Sequence, residues 1–183
     1  MRLSPIFLPL GLSVLLVGFA VPAQQKSGRT AKLASSPATA SVKIETIDTD
    51  GLKALITKQK EKPLLVNFWA TWCIPCREEF PDLVKLDGEF RPKALNFVTV
   101  SLDDVSEIKT GVPKFLTEMK ATMPTYLLDV KDPEPAINAV DPKWQGDLPA
   151  TFLYNEKGEV VFKHFGRVNT AELREAIAKL VKS

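Results

Sequence analysis

The chain has 183 residues, 45% apolar and 25% charged, with a formal net charge of +2, two cysteines and one histidine. That balance excludes a disordered chain, a collagen-like repeat and a multi-span membrane protein, and the length suits one domain with an appendage. So small a charge, with no basic stripe and interleaved aromatics, gives no footprint for nucleic acid, and two cysteines with one histidine cannot complete the usual four-ligand zinc sets.

Residues 3–25 carry no charge, Arg2 stands just before them, and residues 6–20 are an apolar run. Val21-Pro22-Ala23 then offers small residues at cleavage positions, which predicts a secretory signal peptide over residues 1–23. An uncleaved single-span anchor is the competing reading, and Pro5, Pro9, Gly11 and Gly18 weigh against it. Either way the remainder is exported, to a compartment where disulfide chemistry is allowed. Residues 24–41, rich in Ser, Ala and Thr and without aromatics, read as a flexible linker. The folded domain is expected over residues 42–183.

Residues 42–47 alternate as a short strand, and Asp50 is placed to cap a helix whose Leu52, Leu55 and Ile56 share one face. Residues 64–70 are nearly continuously apolar, the pattern of a central strand covered on both faces. A helix then opens at Cys73 and reaches about Phe90, with Pro75 in its first turn and Pro81 inside it. Residues 95–102 give a second strong strand, residues 112–120 a helix and residues 125–130 another strand. Residues 131–146 carry no readable element; their Trp144 is expected in the core, the other reading being the lining of a partner groove. Residues 150–154 and 159–163 flank Asn155-Glu156-Lys157-Gly158, a hairpin signal. The last helix starts near Asn169, with Glu172 three residues on and an apolar stripe of Leu173, Ala176, Ile177, Leu180 and Val181. Together these elements predict an α/β fold with a mixed sheet flanked by helices.

Chemistry concentrates in Trp72-Cys73-Ile74-Pro75-Cys76, between a buried strand and a helix. Two cysteines at this spacing come within disulfide reach in one helical turn. The first sits where free N–H groups and the helix dipole stabilise a thiolate, and the second lies a turn inward and is better shielded. That asymmetry suits exchange: Cys73 attacks a disulfide and Cys76 resolves the mixed disulfide. A structural disulfide closing so small a loop would constrain the unfolded chain little. Half a zinc site lacks its second pair, and two inert thiols need no such setting.

Residues 64–81, with the motif FWATWCIPCREEFP, resemble the thioredoxin superfamily, and within it the exported TlpA/ResA branch of thiol-disulfide oxidoreductases. The resemblance extends over about residues 42–183. It implies a thioredoxin-like fold, with residues 112–130 as an insertion between the active-site helix and the cis-proline strand. It also implies disulfide reduction or exchange in the periplasm or outside the membrane. Protein thiols and disulfides are the implied substrates, apocytochrome c and copper-site assembly proteins among them, with a membrane redox donor and no cofactor beyond the redox-active Cys73–Cys76 pair. On the same grounds Pro149, after Leu148, matches the cis-proline loop, and Trp72, Ile74, Pro75 and Leu148 fall at substrate-binding positions. Asn67 stands where classical thioredoxins keep a buried Asp, and Glu79 where the exported branch has a Glu. Cys76 and Glu79, three apart, also share a helix face. The plainer readings are a solvated surface Glu79 and a hydrogen-bonded core Asn67.

The alternative function is copper binding or delivery through Cys73, Cys76 and His164, since soft Cu(I) favours such ligands. Copper-chaperone relatives on this fold separate their cysteines by three residues, whereas here two intervene.

Overall fold

The computed structural model describes residues 42–58 and 61–181. The signal segment at 1–23 and the linker at 24–41 lie outside the described residues. Strand β2 (Leu64–Trp69) is buried at every position, as an apolar strand must be when both sheet faces are covered. β3 (Asn96–Ser101) runs parallel to it, Asn67 opposite Thr99 and Trp69 opposite Ser101. On its other side β5 (Ala150–Tyr154) is antiparallel, Asn67 opposite Thr151 and Phe68 opposite Ala150. β4 (Thr125–Leu128) and β1 (Ile44–Ile47) extend the parallel half, and β6 (Val160–Phe165) pairs antiparallel with β5 at the other edge. The resulting order is β1-β4-β3-β2-β5-β6.

Helices cover both faces. Leu65, Trp69, Phe97, Leu127 and Leu153 face α2 (Ile74–Phe90), α3 (Gly111–Glu118) and α5 (Thr170–Leu180), which contribute Phe80, Phe115 and Ile177 to one core. Leu64, Val66, Phe68, Val98 and Phe152 face the other way, against α1 (Thr49–Thr57) and α4 (Glu134–Val140). The period-2 alternation along β2 thus feeds two separate cores. α3 and β4 are the helix and strand expected between residues 112 and 130, and β4 lies inside the sheet, between β1 and β3.

Two readings change. The cap of α1 is Asp48, whose side chain accepts the Gly51 N–H at 2.7 Å from an extended backbone. Asp50 is already helical and sits in the first turn, where a cap cannot form. Residues 131–146 contain a helix, α4, started by an Asp132 side chain that accepts the Glu134 N–H. Its seven residues, Ala136, Ile137, Ala139 and Val140 among them, are too short a run to establish a period. Trp144 is core: its ring lies 4.6 Å from Phe68 and 5.7 Å from Phe152, and its N–H donates to the Asp147 carbonyl. The hairpin and the last cap follow the reading, with Gly158 at φ +79° and Asn169 accepting from Ala171 and Glu172.

Candidate functional site: the cysteine turn and the carboxyl behind it

Trp69 ends β2 in the middle of the sheet, and a turn over residues 70–72 delivers Cys73 to the N-cap of α2. There the Cys73 Sγ accepts the Cys76 N–H at 3.2 Å, taking one of the donors a helix leaves unpaired at its start. Pro75 sits in that first turn, where its missing N–H removes nothing. Cys73 and Cys76 form a disulfide, with Cα atoms 5.3 Å apart. Cys76 is fully buried and Cys73 nearly so, between Trp72 at 68% exposed and Ile74 at 70%. The pair therefore lies in a shallow recess with apolar shoulders. Beneath it Trp69 stacks on Phe115, and Phe80 meets both rings edge-on.

One turn further along α2, Glu79 is 1% exposed. Its Oε1 accepts from the Asn67 amide at 2.9 Å and its Oε2 from the Val168 N–H at 2.9 Å. The same Asn67 amide also donates to Thr151 Oγ1 at 3.1 Å. None of these donors is a cation; the neighbouring Arg167 is paired with Glu78 at 3.1 Å. Burial raises the Glu79 pKa to about 7, against the lowering influence of the Val168 N–H, the Asn67 amide and the charge of Arg167. Glu79 is thus no solvated surface residue. Asn67 is the core amide that the plainer reading expected, and its hydrogen bond is what ties Glu79 to the sheet.

The Leu148–Pro149 bond is cis. Since Ala150 lies opposite Phe68, the antiparallel register brings Pro149 to the end of the sheet from which β2 delivers the cysteine turn. Pro149 is buried and its carbonyl accepts the Gly166 N–H at 2.8 Å, while Leu148 is half-buried and Pro75 exposed. His164 sits on β6 opposite Thr151. Among the described residues no three His, Cys, Asp or Glu side chains are grouped to hold a metal ion, and the two cysteines of the copper reading are joined in the disulfide.

Sequence reasoning passed over Asp103. It is 5% exposed, just past the end of β3. Its carboxylate accepts the Thr71 N–H at 3.0 and 3.1 Å, the Thr71 hydroxyl at 2.6 Å and the Ser101 hydroxyl at 2.6 Å. The available signal was its place at the carboxyl end of a central parallel strand, where α/β sheets assemble their sites.

The AhpC/TSA family model matches residues 37–163. The chain is 28% identical over 135 residues to the thiol-disulfide oxidoreductase ResA of Halalkalibacterium halodurans, a match covering 74% of this chain and 71% of the relative. It is 32% identical over 127 residues to the thioredoxin-like protein YneN of Bacillus subtilis, covering 69% and 70% respectively. The solution structure of a thiol:disulfide interchange protein from Bacteroides sp. superimposes with a TM-score of 0.57 at 27% identity, over 68% of this chain and 76% of that one. With the family model matching most of the chain and its relatives named for thiol-disulfide exchange, the chain, whose Cys73–Cys76 pair opens α2, belongs to the AhpC/TSA family as a thiol-disulfide oxidoreductase of thioredoxin-like fold.

Proposed function

We propose that the protein is exported and exchanges or reduces disulfides of protein substrates through Cys73 and Cys76. The observation that carries this reading is the Cys73 sulfur at the N-cap of α2, accepting the Cys76 N–H between the exposed Trp72 and Ile74. An N–H donor and the helix dipole favour the thiolate of the reduced form. The apolar shoulders, with Pro75, Leu148 and the cis Pro149, offer a seat to an extended substrate segment.

In the reduced protein the Cys73 thiolate attacks one sulfur of a substrate disulfide. A Cys73–substrate bond forms, the substrate disulfide breaks, and the departing substrate thiolate takes a proton. Cys76 then loses its proton and attacks the Cys73 sulfur, which forms the Cys73–Cys76 disulfide and releases the second substrate thiolate. Two electrons pass from the dithiol to the substrate. Glu79, three residues from Cys76 on the same helix face and titrating near neutrality, is the group suited to take the Cys76 proton. A membrane redox donor returns the disulfide to the dithiol for the next cycle.

The test is trapping. In Cys76→Ser the resolving sulfur is gone, so mixed disulfides on Cys73 should accumulate as reductant-sensitive gel shifts when the protein is expressed with its own leading segment. Cys73→Ser should trap far fewer. Trapped apocytochromes c would assign the protein to cytochrome maturation, and a copper-site assembly protein to oxidase biogenesis. If both variants trap nothing and the wild type leaves insulin disulfides intact, the proposed activity is wrong.

A further inference from the structure

The cysteine turn is tied to the sheet at two points. The Trp69 carbonyl accepts the Leu102 N–H at 2.9 Å, and Asp103 takes both the N–H and the hydroxyl of Thr71. Within the turn the Cys73 N–H donates to the Ala70 carbonyl at 3.2 Å. Asp103 is itself fixed: Ser101 donates its hydroxyl to the carboxylate and accepts the Asp103 N–H at 3.0 Å. No donor on this carboxylate is a cation, so the arrangement is not an ion pair. It is an acceptor with four hydrogen bonds aimed at it, three of them from a single turn residue.

A carboxylate out of water persists only where hydrogen bonds replace its hydration. Here those bonds fall two residues upstream of Cys73, on the side from which the chain enters the N-cap. Whether the Cys73 sulfur meets the Cys76 N–H at 3.2 Å depends on where that turn places the Cys73 backbone. A displacement of about 1 Å takes such a contact out of hydrogen-bond range and misaligns a nucleophile.

We propose that Asp103 is a positioning residue for thiol–disulfide exchange, holding Thr71 so that the Cys73 sulfur stays at the N-cap of α2. The role in exchange rests on the function proposed above. The geometry of the sulfur does not, and it can be read without any substrate.

The experiment uses the full chain in a Cys76→Ser background, reduced, so that Cys73 is the single thiol. Its alkylation by iodoacetamide at neutral pH reports the thiolate at the N-cap. Asp103→Ala should slow alkylation roughly tenfold, because the released turn loses the N-cap contact. Asp103→Asn keeps an oxygen that accepts from Thr71, and should remain within about threefold of the parent. Asp87→Ala breaks another buried carboxylate network, on Arg91 and Thr122, away from the turn. It should lower stability and leave alkylation unchanged. Thr71→Val, which loses only the hydroxyl donor, should slow alkylation less than Asp103→Ala, and it carries the test if Asp103→Ala fails to fold. The proposal is overturned if Asp103→Ala or, in its place, Thr71→Val alkylates at the parental rate. It is also overturned if Asp103→Asn is slowed as much as Asp103→Ala, or if Asp87→Ala is slowed equally. Loss of insulin reduction by the wild type, with this alkylation pattern intact, would remove the proposed activity and leave the positioning of Cys73 standing.

Discussion

Helix α2 buries two carboxylates eight residues apart, and their surroundings differ. Asp87 accepts from Arg91 Nε at 3.0 Å and from the Thr122 hydroxyl at 2.7 Å, and the same guanidinium reaches on to the Thr122 carbonyl. A cation and a hydroxyl answer its charge, and the cluster ties the end of α2 to the connection between α3 and β4. Glu79, equally buried, receives an amide and a backbone N–H, while Arg167, whose charge it feels, is paired with Glu78. Its pKa is raised to about 7 by burial. On one helix, therefore, the carboxylate with a cation is a structural tie, and the one without has its pKa raised into the neutral range. The second kind stands one turn from Cys76.

The sharpest way to break this comparison is Glu79→Gln. In the folded protein Glu79 titrates near 7, and in the unfolded chain near 4.5. Below pH 4.5 both states hold the proton. Between 4.5 and 7 the unfolded state ionises first, so stability falls as pH rises, and above 7 the loss is complete. The difference corresponds to about 3 kcal/mol. The Glu79→Gln variant has no such slope. Its new amide oxygen keeps the Val168 N–H, and the Asn67 amide has a buried Oδ1 without a hydrogen-bond partner to turn toward the new amide. Urea unfolding of the two oxidised proteins at pH 4.5 and pH 8 should show the variant gaining about 3 kcal/mol on the wild type across that interval. Disulfide exchange by the variant should also fall by about 100-fold and lose its inflection near pH 7. A difference in stability that stays flat with pH would put Glu79 on the structural side with Asp87.

Asp87→Ala tests the opposite arm. It removes the partner of a half-exposed guanidinium that water can solvate, so the loss comes chiefly from the hydrogen bonds to Arg91 and Thr122 and amounts to about 2 kcal/mol. Its pH–rate profile for exchange should overlay the wild type. A moved inflection would mean that the two carboxylates communicate along the helix, and the comparison would fail.

How far the sequence reaches follows the same division. Cys73, Pro75 and Cys76 were legible because their chemistry is local: a spacing, a cap and a first turn are all set within four residues. Glu79 was half legible, since the helical period places it on the Cys76 face, whereas its Val168 donor lies 89 residues away. Asp103 was legible only by its place just past a central strand, and its partner was not, for the same reason. An acidic residue after a strand looks like a solvated turn residue until pairing of β2 with β3 sets Thr71 against it. Asp48 and α4 were missed on local grounds. Asp48 and Asp50 both offer a capping side chain, and only the backbone at Asp48 is extended.

The smallest effect sharpens the comparison most finely. Asn169 caps α5, accepting from Ala171 N–H at 3.0 Å and Glu172 N–H at 3.4 Å and donating to the Glu172 carboxylate at 3.1 Å. Asn169→Ala should cost about 1 kcal/mol. Val168, immediately before the cap, supplies the N–H that holds the Glu79 pKa down against burial. A frayed start of α5 weakens that bond, so the Glu79 midpoint should rise by a fraction of a pH unit above 7 while the Asp87 cluster is untouched. The measurement is the pH–stability slope relative to the double variant that also carries Glu79→Gln, which cancels every contribution except Glu79. If the cap is lost and the midpoint does not move, the Val168 N–H is held by the sheet rather than by α5, and the proton affinity of Glu79 is set from the strand side alone.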